Sequence, residues 1–204
     1  MIVLSDIVQG SESWFEAKLG IPGSSSFNKI ITASGATSKQ RTEYLYKLAA
    51  EKLTGEREET YQSQAMTEGL NREEESRTLY EMITDTIVSQ VGVIFKDEQK
   101  RFLCSPDGIV NGDWGLEMKN VLPKTQVGYL VSGKIPSKYI CQIQGSLLVT
   151  GFKRWDFFSY CPGLPPLIIK VQRDEVFIKK MSKVLDEFHL ELIMLVRKIK
   201  GITS

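Results

Sequence analysis

Histidine is almost missing from this 204-residue chain; there is one, His189. That scarcity argues against His-based zinc sites and against Ser-His-Asp chemistry. Cysteine is sparse as well. Cys104, Cys141 and Cys161 cannot all pair with one another and form no C-x-x-C, which points to free thiols in a reducing, cytoplasmic setting. Apolar runs such as Leu190–Val196 fall far short of the roughly 20 residues of a membrane span. The opening Met1–Asp6 lacks the basic segment and long apolar run of a secretory signal. Charge of one sign is absent too: 26 Lys+Arg face 25 Asp+Glu, a formal net charge of +1. Coating nucleic acid by bulk positive charge is thereby disfavoured, although a local basic groove is not. With 42% hydrophobic and 25% charged residues the composition is globular rather than disordered or fibrous. The length fits a single domain with a real core. Any enzyme built from this inventory must work with carboxylates and lysine.

The first 84 or so residues read as helical. Ser11 or Ser13 can cap a short helix through Leu19 that Gly20 stops, and a second helix is expected from Ser24 to about Gly35. Ser38–Leu53 carries a helical stripe of Leu45, Leu48, Ala49 and Leu53, closed by Gly55, and another helix is expected over Gln64–Thr84. The pattern then changes. Thr86–Phe95 reads as a strand, followed by short strands at Arg101–Ser105, Gly108–Val110 and Trp114–Lys119. Helices at Lys124–Ser132 and Ser137–Val149 precede strands at Trp155–Tyr160 and Leu167–Gln172. A long amphipathic helix from about 174 to 200 closes the chain, with Met181, Leu185, Phe188 and Leu192 on its apolar face. Helices, a mixed sheet and a closing helix make an α+β plan, with a sheet-containing core at about 85–172.

The chemistry concentrates in Ser105-Pro106-Asp107-Gly108 and Leu116-Glu117-Met118-Lys119. On a strand, residues i and i+2 project from one face, so Glu117 and Lys119 point together, and a hairpin can bring Asp107 against them. Two converging carboxylates repel each other without a counter-ion. Mg2+ would supply it, activate water and stabilise a pentacoordinate phosphate. E-x-K also occurs at Glu16-Ala17-Lys18 and Glu98-Gln99-Lys100. The former lies in an expected helix and the latter in a polar turn; only the third is on a strand with a Pro-Asp upstream. On spacing alone a turn Asp followed by a surface Glu/Lys pair is an equal reading.

Four ordered blocks decide more. They are Gln9-Gly10-Ser11-Glu12-Ser13-Trp14 through Lys18-Leu19-Gly20 to Ser24-Ser25; Gly69 through Glu73 to Arg77-Thr78-Leu79-Tyr80-Glu81; Cys104–Gly108 with Gly115–Lys119; and Tyr139-Ile140-Cys141-Gln142-Ile143-Gln144. Together they resemble the PD-(D/E)XK nucleases, and more narrowly the lambda-exonuclease (YqaJ-like viral recombinase) family of phage alkaline exonucleases. The resemblance implies a restriction-endonuclease-like core, a mixed central sheet flanked by helices.

It also implies metal ligation by Asp107, Glu117 and the main-chain carbonyl of Met118, with Lys119 positioning or activating the attacking water. Glu73 would reach the metal, through water or at a second ion. Without the family, Glu73, Glu74 and Glu75 are indistinguishable, and Glu73 with Arg77 reads as an i, i+4 surface pair. Gln142 would line the site with Tyr139 in support, whereas Gln144 reads as a packed polar residue. A 5'-phosphate pocket would be built from Lys18, Ser25 and Ser105, with Ser24 and Ser26 alongside. The best-known member of the family has Arg where Lys18 stands, and Lys loses the bidentate fork. Trp14 could stack on a DNA end or simply pack.

Charge is segregated along the chain. Residues 117–156 hold six bases and two acids, residues 51–81 nine acids and four bases. Arg41, Lys124, Lys134 and Lys138 are candidate phosphate contacts. The resemblance implies a Mg2+-dependent 5'-to-3' exonuclease, with Mn2+ as a substitute metal. It would act on double-stranded DNA ends, release 5'-mononucleotides and leave a 3' tail for strand annealing. A homotrimer ring, a phage single-strand annealing protein as partner and a bacterial cytoplasm, phage or prophage encoded, complete the expectation. Another PD-(D/E)XK endonuclease and a non-catalytic DNA-end-binding recombination protein are the alternatives.

Overall fold

The computed structural model describes residues 1–57 and 72–202. In chain order it runs β1 (Ile2–Leu4), α1 (Glu12–Lys18), a 3-10 helix (Ser24–Lys29), α2 (Arg41–Thr54) and α3 (Glu73–Thr84). Then come β2 (Val88–Ser89), β3 (Val93–Phe95), β4 (Leu103–Cys104), β5 (Gly108–Val110) and β6 (Trp114–Asn120). Helices α4 (Pro123–Ser132) and α5 (Ser137–Thr150), strands β7 (Arg154–Tyr160) and β8 (Leu167–Gln172), and α6 (Glu175–Ile202) complete it.

Two sheets form. Strands β1, β3 and β4 make a three-stranded antiparallel sheet, and a five-stranded sheet has the order β2-β5-β6-β7-β8. Its pairs are antiparallel except β6–β7, which is parallel. A parallel pair needs a long crossover, which α4 and α5 supply. The sheet is mixed and helix-flanked, as expected.

Period-two alternation on β6 decides which side chains meet which helix. Leu116 and Met118 join Tyr80, Val88, Val110, Phe158 and Tyr160 on the face covered by α3. The opposite face buries Trp155 and Phe157 against Ile143, Leu147 and Ile178 of α5 and α6. Register pairs Gly115 with Trp155 and Glu117 with Phe157, so Gly115, Glu117 and Lys119 share the α5 side. A Cβ on Gly115 would overlap the Trp155 indole, so only glycine lets the two strands meet there. A third cluster packs Leu45, Leu48 and Ala49 of α2 on Leu185, Phe188 and Leu192 of α6. The stripe read for each of these helices faces this core, except that Leu53 of α2 is only half-buried.

Ser11 caps α1, its Oγ accepting the Trp14 N–H at 3.3 Å. Gly20 (φ +66°) ends this turn in the left-handed region, and its N–H donates to buried Glu51 at 2.9 Å, fastening α1 to α2. Several boundaries differ from expectation. The helix expected over Ser24–Gly35 is only a 3-10 helix to Lys29, because Ile31 bridges Thr37 instead of continuing it. α2 starts at Arg41, since the Ser38 N–H is taken by the Ile30 carbonyl. Thr86–Phe95 is two strands in two sheets, and Arg101–Ser105 narrows to Leu103–Cys104. Of the helix expected over Gln64–Thr84, residues 64–71, Gly69 among them, lie outside the described residues. No helix among those described is long and apolar enough to cross a membrane.

Candidate active site

The β5–β6 hairpin brings Asp107 to β6, with Gly108 opposite Leu116 and the Asp107 N–H bonded to the Leu116 carbonyl. The carboxylate of Asp107 then accepts the Met118 N–H at 2.5 Å. In a strand the N–H and C=O of one residue leave along the same edge, so the Met118 carbonyl faces the Asp107 side. Glu117 is buried and accepts hydrogen bonds on Oε1 from Lys119 and, at 2.6 Å, from Gln142 of α5. Tyr139, one turn before Gln142, puts its ring 5.4 Å from the Lys119 ammonium. Asp107, Glu117 and Lys119 therefore meet as their spacing predicts, and Gln142 and Tyr139 join them as the family resemblance implies.

Glu73 opens α3, where its carboxylate accepts from Arg77 at 3.2 Å, the i, i+4 pair. It also faces the site electrically. Burial raises its pKa first and the charge of Asp107 adds to it, with Arg77 and Lys119 opposing. Burial likewise raises Asp107, with Lys119 and the Met118 N–H opposing only in part. Glu117 is pushed up by burial and by Asp107, against the pull of Lys119 and Gln142. Burial alone would lower Lys119, but the charges of Glu117 and Asp107 prevail and hold it above the ordinary lysine range. The site is a crowded acidic pair stabilised by one protonated amine.

Among the described residues no three His, Cys, Asp or Glu side chains gather to hold a metal. The donors present are two carboxylates and a main-chain carbonyl, all oxygen. Such a partial set fits Mg2+, which favours oxygen, uses one or two carboxylates and retains several waters.

Lys18, Ser25 and Ser105 come from three separate segments. The Lys18 ammonium lies 3.2 Å from the centre of the Trp14 ring, and the Trp14 indole N–H donates to Ser105 Oγ at 2.8 Å and to the Gly92 carbonyl at 3.0 Å. Ser105 Oγ in turn donates to Gly92 O. Trp14, partly buried beside Ala17 and Ile21, thus packs and also joins Lys18 to Ser105. Ser25 is exposed at the start of the 3-10 helix. The preceding Gly23 bridges Leu103, two residues before Ser105, but no hydrogen bond joins Ser25 to Lys18 or Ser105 among the described residues.

Several other readings resolve. Ser24 is buried and accepts from Ser146 at 3.0 Å, so it belongs to packing. Gln144 is a packed polar residue: it donates to the Gln172 carbonyl and accepts the Asp174 N–H, both at 2.9 Å. Arg41 does not offer a free guanidinium, because it forks onto Glu191 at 2.6 and 2.9 Å and ties α2 to α6. Lys124, Lys134 and Lys138 are exposed. The three thiols are free and buried. Burial, helped by the charge of Glu117, pushes Cys104 up, and burial pushes Cys141 up to about 11, so neither is a ready nucleophile. Two residues outside the assigned site also matter. Gln9 donates to the carbonyls of Val91 and Pro106 at 2.9 and 2.8 Å, bracing the turn before Asp107. Its place in the first block was the signal. Arg57, close to Lys18, lies in no block.

The family model of the YqaJ-like viral recombinase domain matches residues 13–153. The chain belongs to this family. No curated protein matches the chain in sequence. The alkaline exonuclease LHK-Exo from Laribacter hongkongensis superposes with a TM-score of 0.86 at 28% identity, covering 95% of this chain and 98% of that one. Its structure in complex with dAMP matches equally well. A phage-related exonuclease from Haemophilus somnus 129PT shares the fold, with a TM-score of 0.66 at 13% identity over 88% of this chain and 96% of that one. The YqaJ-like chain has the PD-(D/E)XK nuclease fold and is a DNA exonuclease of viral recombination type.

Proposed function

We propose that the chain is a Mg2+-dependent 5'-to-3' exonuclease. It degrades one strand of linear double-stranded DNA to 5'-mononucleotides and leaves a 3' single-stranded tail for phage recombination by annealing. The observation that carries this reading is the meeting of Asp107, the Met118 main chain, Glu117 and Lys119 at the end of one hairpin. The structure of LHK-Exo with dAMP supports a mononucleotide product.

Asp107, Glu117 and the Met118 carbonyl would hold Mg2+ (or Mn2+), with Glu73 reaching it through water. The ion supplies a polarised water and a counter-charge for the phosphate. The chain's residues do the rest. Lys119, kept protonated by its two carboxylates, presents a positive charge and N–H donors to the attacked phosphate and its water. Gln142 holds Glu117 in place from α5. Gln9 and the Met118 N–H fix the loop and carboxylate of Asp107. Lys18, Ser25 and Ser105 receive the 5'-terminal phosphate. The family resemblance extends the proposal to a homotrimer ring, a phage single-strand annealing protein as partner and work in a bacterial cytoplasm.

The test compares linear duplex bearing 5'-phosphate or 5'-hydroxyl ends with covalently closed circular duplex, each with and without Mg2+. Mononucleotides released only from linear duplex, only with Mg2+, and lost in Lys119→Ala and Asp107→Ala, are expected. Cleavage of the closed circle would establish an endonuclease instead. Undiminished release by Lys119→Ala would remove the site assignment.

A further inference from the structure

Two cations converge on one aromatic pair at the edge of the phosphate pocket. Trp14 and Phe15 of α1 meet edge to face with ring centres 4.8 Å apart. Lys18 lies over the Trp14 ring, and Arg57, just past the end of α2, sets its guanidinium 3.7 Å from the centre of the Phe15 ring. Most other arginines in the described structure have a carboxylate partner: Arg41, Arg77, Arg101, Arg154 and Arg173 each do. Neither Lys18 nor Arg57 has one among the described residues. Burial lowers the Lys18 pKa, and the charge of Arg57 lowers it further, to about 7. Two like charges left facing each other are unfavourable, and an anion seated between them relieves both. Trp14 links this pair to Ser105, two residues from Asp107.

We infer that Arg57 is the second cation of the 5'-phosphate pocket, and that the pair Lys18 and Arg57 selects the phosphomonoester of a DNA 5' end over a bridging phosphodiester. The inference rests on the exonuclease reading above. A terminal phosphate carries a charge of about −1.5 to −2 near pH 7, against −1 for a phosphodiester. One lysine does not balance that. Arg57 is permanently charged and brings the planar fork that Lys lacks at position 18. The aromatic pair orients the two cations from its two ends.

The experiment measures binding of the full chain to linear duplex with a 5'-phosphate or a 5'-hydroxyl, by fluorescence anisotropy in EDTA. Wild type, Arg57→Gln, Arg57→Lys and Lys18→Gln are compared. Arg57 is exposed, so its replacement leaves the core untouched. Wild type is expected to prefer the phosphorylated end. Arg57→Gln should lower that preference about tenfold, with Arg57→Lys retaining part of it. Full preference in Arg57→Gln alongside its loss in Lys18→Gln would overturn the role of Arg57 and leave the exonuclease reading standing. Equal binding of both ends by wild type would instead overturn the 5'-phosphate pocket itself, and the inference with it.

Discussion

In the proposed 5'-phosphate pocket, Lys18 is expected to make recognition of a phosphorylated DNA end weaken with rising pH across the neutral range, where an ordinary lysine would leave it flat. An unperturbed lysine stays charged to about pH 10. Burial and then Arg57 bring Lys18 down to about 7, so it loses its proton across the neutral range. At one unit above that value only about one-eleventh of the amines are charged, and re-protonating one costs about 1.4 kcal/mol, a factor of about ten. The end phosphate, with its second pKa near 6, stays largely dianionic meanwhile. The contribution of Lys18 is therefore expected to be intact at about pH 6.5 and to weaken towards tenfold per unit above about pH 7.5. The assay is the ratio of Kd values for 5'-phosphate and 5'-hydroxyl duplexes in metal-free buffer across that range. Calorimetry at about pH 8 in two buffers of different ionisation enthalpy should register uptake of close to one proton per phosphorylated end bound. In Arg57→Gln the fall should move to higher pH, because one of the two causes of the shift is gone. A Kd ratio that is flat with pH, with no proton uptake, would refute the reasoning.

Asp107 gives a stability prediction of known sign. Its folded pKa lies above its unfolded value of about 3.9, so its contribution is complete below that value and is lost as pH rises through the folded one. In EDTA, Asp107→Asn should melt higher than wild type near pH 8, with the gap closing towards pH 4, while Mg2+-dependent hydrolysis disappears; equal melting temperatures at every pH would contradict this. Gly115→Ala drives a methyl into the buried Trp155 indole and should cost about 1–3 kcal/mol in chemical denaturation, with a loss of activity from displacing the strand that carries Glu117.

The candidate active site was legible because its logic is local. Asp107, Glu117 and Lys119 lie within one hairpin, where period-two alternation and a single turn decide which side chains meet, and the ends of β5 and β8 fall where the pattern places them. Non-local pairing was harder to read. Nothing in the Val and Ile of Thr86–Phe95 tells that Val88 pairs with Val110 while Ile94 pairs with Val3. That split follows from Gly92, whose N–H bonds to the Leu4 carbonyl and whose missing side chain admits Ile7. β1 is too short, at three residues, to show a period. Arg41 looked like a surface base because its partner Glu191 is distant in sequence. Arg57 carries no motif; its significance is spatial, created by the turn after Gly55 that returns the chain to α1.

Ser105 and Asp107 sit two residues apart on one stretch of backbone, a span of at most about 7 Å. In the proposed function the end phosphate sits at Ser105 and the cut phosphate at Asp107, so the unit removed per cycle would be set by this short backbone span, as by a ruler. Gly92 and Trp14 clamp one mark of that ruler and the Met118 N–H clamps the other. Loosening either clamp should blur the size of the product before it abolishes the cut.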